Sequence, residues 1–280
     1  MDKIIKINKK SRNYIVGRNL YSQGMNLLKI NKSEIAYKKI FASCQLSYPP
    51  AIYFVADYEF FVNNNIVTAI NLYETAAGFG DIQSLRALTN IYINGYNVQQ
   101  NITKANEYIE LRAKLGDPEG YNELGINYID GIGKEINYRQ GIKYFEKAAK
   151  KKSLTAYINL ARTYFFGKGV KPDEKKTFSY YKLAAETKHP EGYFRLGCAY
   201  LWGIGVTKNI KKAITYLTKA AKDGHILSCT ELGDIYHTKR YKMYNRKLSK
   251  LWYDLAKKYT EVKTSDDLGE QVIKAAKQFD

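Results

Sequence analysis

The sequence has 280 residues, 45% hydrophobic and 14% aromatic, which is enough apolar material to bury a substantial core. No apolar run is long enough to cross a bilayer, and the basic start lacks the apolar stretch of a secretory signal. Three cysteines stand far apart without C-x-x-C spacing, which argues against a disulfide framework and favours a reducing compartment. We therefore expect a soluble, intracellular protein, with the cytoplasm as its location.

The formal net charge of +18 has two interpretations. Excess Lys and Arg favour a nucleic acid, an anionic membrane or an acidic protein as partner. The excess lies in residues 1–50 and 151–250, whereas residues 51–150 hold nine basic and twelve acidic groups. The chain is also rich in Lys, Ile, Asn and Tyr together, the set that AT-rich codons encode. The sequence leaves open whether the charge serves binding or follows from codon usage.

A step of 36 residues organises the chain. A leucine recurs at this step, with a small residue four positions before it, a Tyr four after it, another small residue seventeen after it and an aromatic residue twenty after it. These anchor leucines are Leu88, Leu124, Leu160, Leu196 and Leu232. Spacings of three and four predict two amphipathic helices per unit, with small residues where the helices approach each other closely.

The predicted units follow one another along the whole chain. Residues 14–50 form a degenerate first repeat and residues 51–83 a repeat with a short loop. Four regular repeats follow, at residues 84–119, 120–155, 156–191 and 192–227. Residues 228–262 form a variant last repeat, and residues 266–280 are predicted to be a C-terminal helix. We expect residues 1–280 to form a single solenoid of about seven repeats, because atypical ends are normal in stacked arrays.

A Gly-x-Gly pair such as Gly203-Ile204-Gly205 raises the alternative of a phosphate-binding loop. Such a loop follows a strand, opens a helix and carries a third Gly or a Lys-Ser/Thr pair. Here the pairs follow a predicted helix in repeated register, seven and nine residues after the anchor. The position predicts a helix end, where glycine adopts positive φ without strain.

The units resemble the Sel-one-like repeats (SLR), relatives of the tetratricopeptide (TPR) repeats. The residues that carry the resemblance in the clearest unit are Gly192, Leu196, Gly197, Tyr200, Gly203, Gly205, Val206, Lys212, Ala213, Tyr216, Ala220, Ala221, Gly224 and His225. The resemblance implies an all-α, right-handed superhelical solenoid of helix-turn-helix repeats with a concave inner surface. It also implies a scaffold or adaptor in protein-protein interaction, and it adds a host cell or a virion as alternative locations.

No constellation of residues predicts catalysis. His189 and His225 occupy the turn slot between units, where we interpret them as turn residues because no ligand cluster accompanies them. Cys198 and Cys229 fall within first helices, as small packing residues. The many tyrosines could stack bases, but most occupy the two repeat positions that pack the core. We predict no enzyme activity, no cofactor and no metal site.

Two surfaces are candidates for partner binding. At the four anchors from Leu124 to Leu232, the positions one before and two after the anchor point away from the core face of the first helix. We define these positions as the groove row: Glu123, Ile126, Asn159, Arg162, Arg195, Cys198, Glu231 and Asp234. We define the basic segment as the candidate for an anion contact: Lys239, Arg240, Lys242, Arg246, Lys247 and Lys250. A solvated surface is the alternative for both.

The sequence therefore favours a non-enzymatic scaffold that binds another protein, of unknown identity, in its concave groove. The alternative is a protein that binds nucleic acid or an anionic surface through residues 151–250. Nucleic-acid binding would weaken steeply with added salt, because bound counterions are released.

Overall fold

The computed structural model describes residue 5 and residues 7–265, and the side chains as far as residue 260. This part of the chain is helical and contains no strand. In chain order the α-helices are α1 (Arg12–Lys29), α2 (Ser33–Gln45), α3 (Pro49–Phe61), α4 (Ile66–Gly78), α5 (Ile82–Asn94), α6 (Ile102–Lys114), α7 (Pro118–Asp130), α8 (Tyr138–Lys150), α9 (Leu154–Phe166), α10 (Glu174–Glu186), α11 (Pro190–Trp202), α12 (Ile210–Lys222), α13 (Ile226–His237) and α14 (Arg246–Ser265). The predicted helix over residues 266–280 lies outside the described residues.

Helices that follow one another in sequence pack as antiparallel neighbours. The chain forms two compact units, which meet in the sequence between Gly120 and Tyr121. In the first unit α1 packs on α2, α3 on α4 and α5 on α6, while in the second α9 packs on α10, α11 on α12 and α13 on α14. The predicted all-α class of stacked helix pairs is confirmed, whereas the division into seven repeats of a single domain stays a prediction.

The small repeat positions are where helix backbones touch. A Cβ added to Gly192 on α11 would overlap the Ala184 carbonyl of α10 and lie 3.0 Å from the backbone nitrogen of Ala185. A Cβ on Gly141 would lie 2.9 Å from the carbonyl oxygen of Gly125. Each anchor leucine is buried beside these contacts, at 3% exposure or less. The leucines can fill the space between helices because no larger side chain keeps the backbones apart.

The two aromatic positions of a regular repeat stack on each other. Tyr200 lies parallel to Tyr216, with ring centroids 5.9 Å apart and 4° between the planes. Equivalent stacked pairs are Tyr92 with Tyr108, Tyr128 with Tyr144 and Tyr164 with Tyr180. A lysine covers each pair, and Lys212 lies 5.2 Å from the Tyr200 centroid. Tyr200 is partly exposed, so the stacked rings and their cation–π contact lie at the edge of the core.

An Asn or Asp thirteen residues after each anchor closes the loop of its repeat. Asn209 caps α12, because its side chain accepts a hydrogen bond from the backbone N–H of Lys212 at 2.9 Å. The Asn209 backbone N–H donates to the carbonyl of Tyr200 at 2.9 Å, across the loop. The same two bonds recur at Asn101, Asn137, Asp173 and Asn245. The last of these retains the closure in a repeat that has lost its Gly-x-Gly.

The Gly-x-Gly pairs are structural, as predicted. Gly203 ends α11 in the left-handed conformation with φ of 80°. Gly205, with φ of 64°, packs on the start of α10, where an added Cβ would overlap the carbonyl of Glu174. The second glycine therefore lets one repeat's loop touch the preceding repeat.

Replacement of Gly192 by alanine tests the close approach. We expect Gly192→Ala to destabilise the protein by about 1–3 kcal/mol, because the new methyl group must push α10 and α11 apart. Gly78→Ala is the control, since a Cβ there meets no atom within 4 Å and the backbone needs no positive φ. The measurement is the urea midpoint of the helical circular dichroism signal. Equal midpoints for the two variants would contradict the close-approach role.

Candidate partner-binding surface

The groove row extends over four first helices of the second unit. Glu123 and Ile126 lie on α7, Asn159 and Arg162 on α9, Arg195 and Cys198 on α11, and Glu231 and Asp234 on α13. Arg162 and Asp234 are exposed, and the other six are partly buried. None of the eight belongs to the buried core.

A crevice between α7 and α9 contains three members of the row. Its volume is about 120 Å³, and Ile126, Asn159 and Arg162 line it together with Phe166. The Asn159 amide donates to the Asn122 side chain at 2.9 Å, which holds the two helices together at this level. Arg162 makes no ion pair with a described residue, so its guanidinium remains available to a ligand.

The α11 members of the row lie in a charged cluster. Arg195 Nε donates to Glu191 Oε1 at 2.7 Å, and His225 Nε2 lies 2.9 Å from Glu191 Oε2. The hydrogen bond from His225 and the charge of Arg195 lower the pKa of Glu191 to about 2, against the opposing effect of burial. His225 also caps α13, because its ring accepts from the Ser228 backbone N–H. This cluster ties α11 to the start of α13.

Burial and neighbouring charges keep Cys198 unreactive. Burial raises the pKa of its thiol to about 12, and the nearby Glu231 carboxylate adds to the effect. A thiol in this state is a poor nucleophile, since the thiolate is the reactive form. Cys198 packs against a buried cluster that includes Leu217 and Leu232, so it is a packing residue, as predicted.

The α13 members give the row an acidic end. Burial and the repulsion of Asp234 raise the pKa of Glu231. Asp234 accepts a hydrogen bond from the Tyr253 hydroxyl at 2.5 Å. The row therefore has arginines on α9 and α11 and neighbouring carboxylates on α13.

Exposed aromatic residues beside the row were missed by the sequence analysis. Phe166 and Trp202 are 64% and 53% exposed, and each stands six residues after its anchor at the end of a first helix. The sequence feature that could have identified them is a large aromatic residue six positions after the anchor, outside the repeat positions that pack the core. Exposed aromatic side chains next to charged groups are typical of energetically important residues in protein interfaces.

The six residues of the basic segment lie on a short helix, at its end and on the helix that follows. Lys239 and Arg240 belong to a short 3-10 helix, Lys242 ends it in the left-handed conformation with φ of 55°, and Arg246, Lys247 and Lys250 lie on the first turns of α14. All six are exposed. Tyr241 lies between two cations, with Lys208 Nζ 5.0 Å and Arg240 Cζ 5.7 Å from its centroid.

Among the described residues no group of three or more His, Cys, Asp or Glu side chains could hold a metal ion. His189 caps α11 through a 3.2 Å hydrogen bond from the Glu191 backbone N–H, so both predicted turn histidines are helix caps. No helix in the described part of the chain is long and apolar enough to span a membrane.

The family model of the Sel1 repeat matches residues 85–117, 118–153, 154–189 and 190–225, together half of the chain. The chain belongs to the Sel1 repeat family. Proteins of this family are generally scaffolds for protein-protein interaction and are typically non-catalytic.

Solved structures agree with the family in fold. A Sel1 repeat protein from Oxalobacter formigenes is 23% identical with a TM-score of 0.74, over 85% of this chain and 99% of that one. A protective antigen of uropathogenic Escherichia coli that displays an SLR fold is 21% identical with a TM-score of 0.71. The match covers 86% of this chain and 53% of the antigen. This chain therefore spans about half the length of the antigen. A search of curated proteins found no significant match.

An immunity protein from Pseudomonas aeruginosa is similar over a smaller part of this chain. It is 20% identical with a TM-score of 0.55, and the match covers 76% of this chain and 82% of that one. At this identity the likeness concerns the fold.

The histidine bridge predicts a specific change in the ionisation of Glu191. His225→Asn keeps a good helix cap but removes the hydrogen bond to the carboxylate, so the pKa of Glu191 should rise from about 2 towards its ordinary 4.5. Because the folded-state pKa is depressed, Glu191 stabilises the fold above about pH 4.5, and this stabilisation is lost as the pH falls towards 2. The measurement is the pH titration of the Glu191 carboxyl carbon by NMR.

His189→Asn is the matched control for this experiment. It makes the same replacement at the equivalent cap, where the His189 ring bonds to the backbone of Glu191 and not to its carboxylate. An unchanged Glu191 titration in His225→Asn, or an equal shift in both variants, would show that the histidine bridge does not set the pKa.

Proposed function

We propose that this Sel1 repeat protein is a non-enzymatic scaffold that binds a protein partner along the groove row and the exposed aromatic residues beside it. The observation that carries the proposal is the arrangement of charge along the row. Arg162 and Arg195 lie on neighbouring first helices, Glu231 and Asp234 lie on the next first helix, and Phe166 and Trp202 expose large apolar surfaces nearby. A surface with this combination fits a partner with complementary charges and apolar anchors.

The arrangement also specifies what kind of segment would fit. A partner would present carboxylates to Arg162 and Arg195 and a basic side chain to Glu231 and Asp234. First helices of successive repeats lie about 10 Å apart when they pack, so two repeat steps correspond to about six residues of extended chain. The preferred partner is therefore an extended segment with acidic and basic residues about six positions apart and an apolar residue between them.

Charge reversal at the arginines tests the proposal. We expect Arg162→Glu to weaken the partner about tenfold or more, because it places a carboxylate opposite the partner's acidic group. Arg162→Glu combined with Arg195→Glu should weaken it further. The partner is first captured from the native cell and identified by mass spectrometry, and its affinity for each variant is then measured with purified components.

Lys182→Glu provides the matched control, since Lys182 is an exposed cation on the second helix α10. It produces the same change in net charge away from the row, and circular dichroism verifies that each variant is folded. If Lys182→Glu weakens binding as much as Arg162→Glu, the effect comes from net charge and the assignment to the groove row is wrong.

Nucleic-acid binding through the basic segment is the second candidate function. Six exposed cations within residues 239–250 and the exposed Tyr244 ring favour it. We expect any binding to random oligonucleotides at low salt to fall steeply towards about 150 mM salt, and to fall with neutralisation of Lys239, Arg240 and Lys247 to Gln. Oligonucleotide binding that resists salt, in a protein that captures no protein partner, would overturn the scaffold proposal.

A further inference from the structure

A second crevice lies in the first compact unit, between α3 and α5. Its volume is about 330 Å³, and five of its eleven lining residues are aromatic. Phe60 and Phe61 come from α3, and Tyr96 follows the end of α5. Phe61 and Tyr96 are 60% and 54% exposed, so their rings are available to a ligand. Cavities of this size hold a single ring or a small organic group.

One cation, Arg86 on α5, also lines the crevice. Its Nη2 donates to Asp117 Oδ1 at 3.2 Å, and this is the one side-chain hydrogen bond that Arg86 makes among the described residues. Its Nε is buried and has no acceptor, although 40% of the side chain is exposed. A guanidinium has five N–H donors, so other groups of the protein engage only a small part of the hydrogen-bonding capacity of Arg86.

Asp117 does not depend on Arg86 for its charge partner. Arg112 is 2% exposed and donates from Nε to Asp117 Oδ2 at 2.9 Å, with its Nη2 at 2.8 Å from the same oxygen. The backbone N–H of Gly120 donates to that oxygen as well. Arg86 is therefore a second, half-exposed cation on a carboxylate that already has a buried one, and its charge can attract another anion.

The α3 wall of the crevice contains a carboxylate that already accepts a hydrogen bond from a tyrosine hydroxyl. Asp57 on α3 accepts a hydrogen bond from the Tyr73 hydroxyl at 2.6 Å, and the nearby Tyr53 hydroxyl also favours its ionised form. Burial raises the pKa of Asp57 despite the two tyrosine hydroxyl groups, which favour its ionised form. The hydroxyl groups cover this carboxylate, so the crevice distinguishes its two sides: an anion is favoured beside Arg86 and disfavoured beside Asp57.

We propose that the α3–α5 crevice binds a carboxylate attached to an aromatic or aliphatic group. The carboxylate pairs with the guanidinium of Arg86, and the apolar group packs on Phe60, Phe61 and Tyr96. Arginine and carboxylate match in geometry, and the aromatic rings add apolar contact of the right size. This site lies within residues 53–96 and is independent of the partner bound at the groove row.

The test uses 3-phenylpropanoate as probe and the neutral 3-phenylpropanamide as its matched analogue. Both are titrated into the full chain while the NMR signals of residues around the crevice are followed. A fragment of this size is expected to bind with a Kd of a few mM at about 0.3 kcal/mol per heavy atom. We expect the acid to bind about three- to tenfold more tightly than the amide, because only the acid pairs with Arg86.

Three variants make the outcome specific. Arg86→Gln should abolish the preference for the acid over the amide, whereas Arg18→Gln, which removes an exposed arginine of α1 outside the crevice, should leave it unchanged. Phe61→Ala should weaken both probes equally, and because Phe61 is exposed this variant should remain folded. Equal affinities of acid and amide for the wild type, or absence of binding at about 20 mM probe, would overturn the proposal.

The source of the carboxylate is distinguished by a third probe, the dipeptide acetyl-Glu-Phe-amide. Tighter binding of the dipeptide than of 3-phenylpropanoate indicates a peptide chain of a partner protein, and the reverse order indicates a free organic acid. Either order supports the site, provided that Arg86→Gln removes the preference for the charged form. Loss of partner binding in the Arg162 variants with unchanged probe binding would separate this site from the groove row.

Discussion

The structure depends on the close approach of helix backbones at the small repeat positions. At Gly192, Gly141 and Gly120 a single methyl group would meet backbone atoms of a neighbouring helix. These contacts fix how neighbouring helices face each other, between successive repeats at Gly192 and Gly120 and within one repeat at Gly141. The anchor leucines then have one way to fill the space between the helices. The stacked tyrosines and the closed loops follow from the same geometry, because both join residues of two helices that are already held at a fixed distance.

Much of this arrangement could be predicted from the sequence, because the same pattern of residues occurs in several repeats. Leu196, Gly192 and Tyr200 show helical spacing by themselves, and their companions at 36-residue steps remove the ambiguity of a single copy. The Gly-x-Gly pairs were assigned to helix ends for the same reason, and the positive φ of Gly203 and Gly205 confirms the assignment. The caps at Asn209 and its equivalents have an equally regular sequence signal, an Asn or Asp thirteen residues after each anchor leucine.

The candidate sites were less predictable, because they depend on contacts between repeats. The positions of Arg162 and Arg195 beside the core face could be derived from helical periodicity, but the bridge from Glu191 to His225 joins residues 34 apart and has no local pattern. The unused donors of Arg86 depend on the geometry around Asp117, which no spacing encodes. The helical periodicity of the sequence predicts which residues lie on a surface. The hydrogen bonds and ion pairs between side chains of different repeats then determine which of these residues can bind a ligand.

The hydrogen bonds of the Asn or Asp thirteen residues after each anchor leucine close the loop of the repeat. They separate the helices, whose packing is fixed, from the loop between them, whose sequence is free to vary. One hydrogen bond, from the Asn209 backbone to the Tyr200 carbonyl, joins the two ends of the segment between the helices. In the last repeat the intervening residues are entirely different, yet the Asn245 bond to Tyr236 has the same length within 0.1 Å. The intervening segments therefore behave as interchangeable inserts. A new recognition element could arise in one of them by insertion or duplication while the helices on both sides keep their packing.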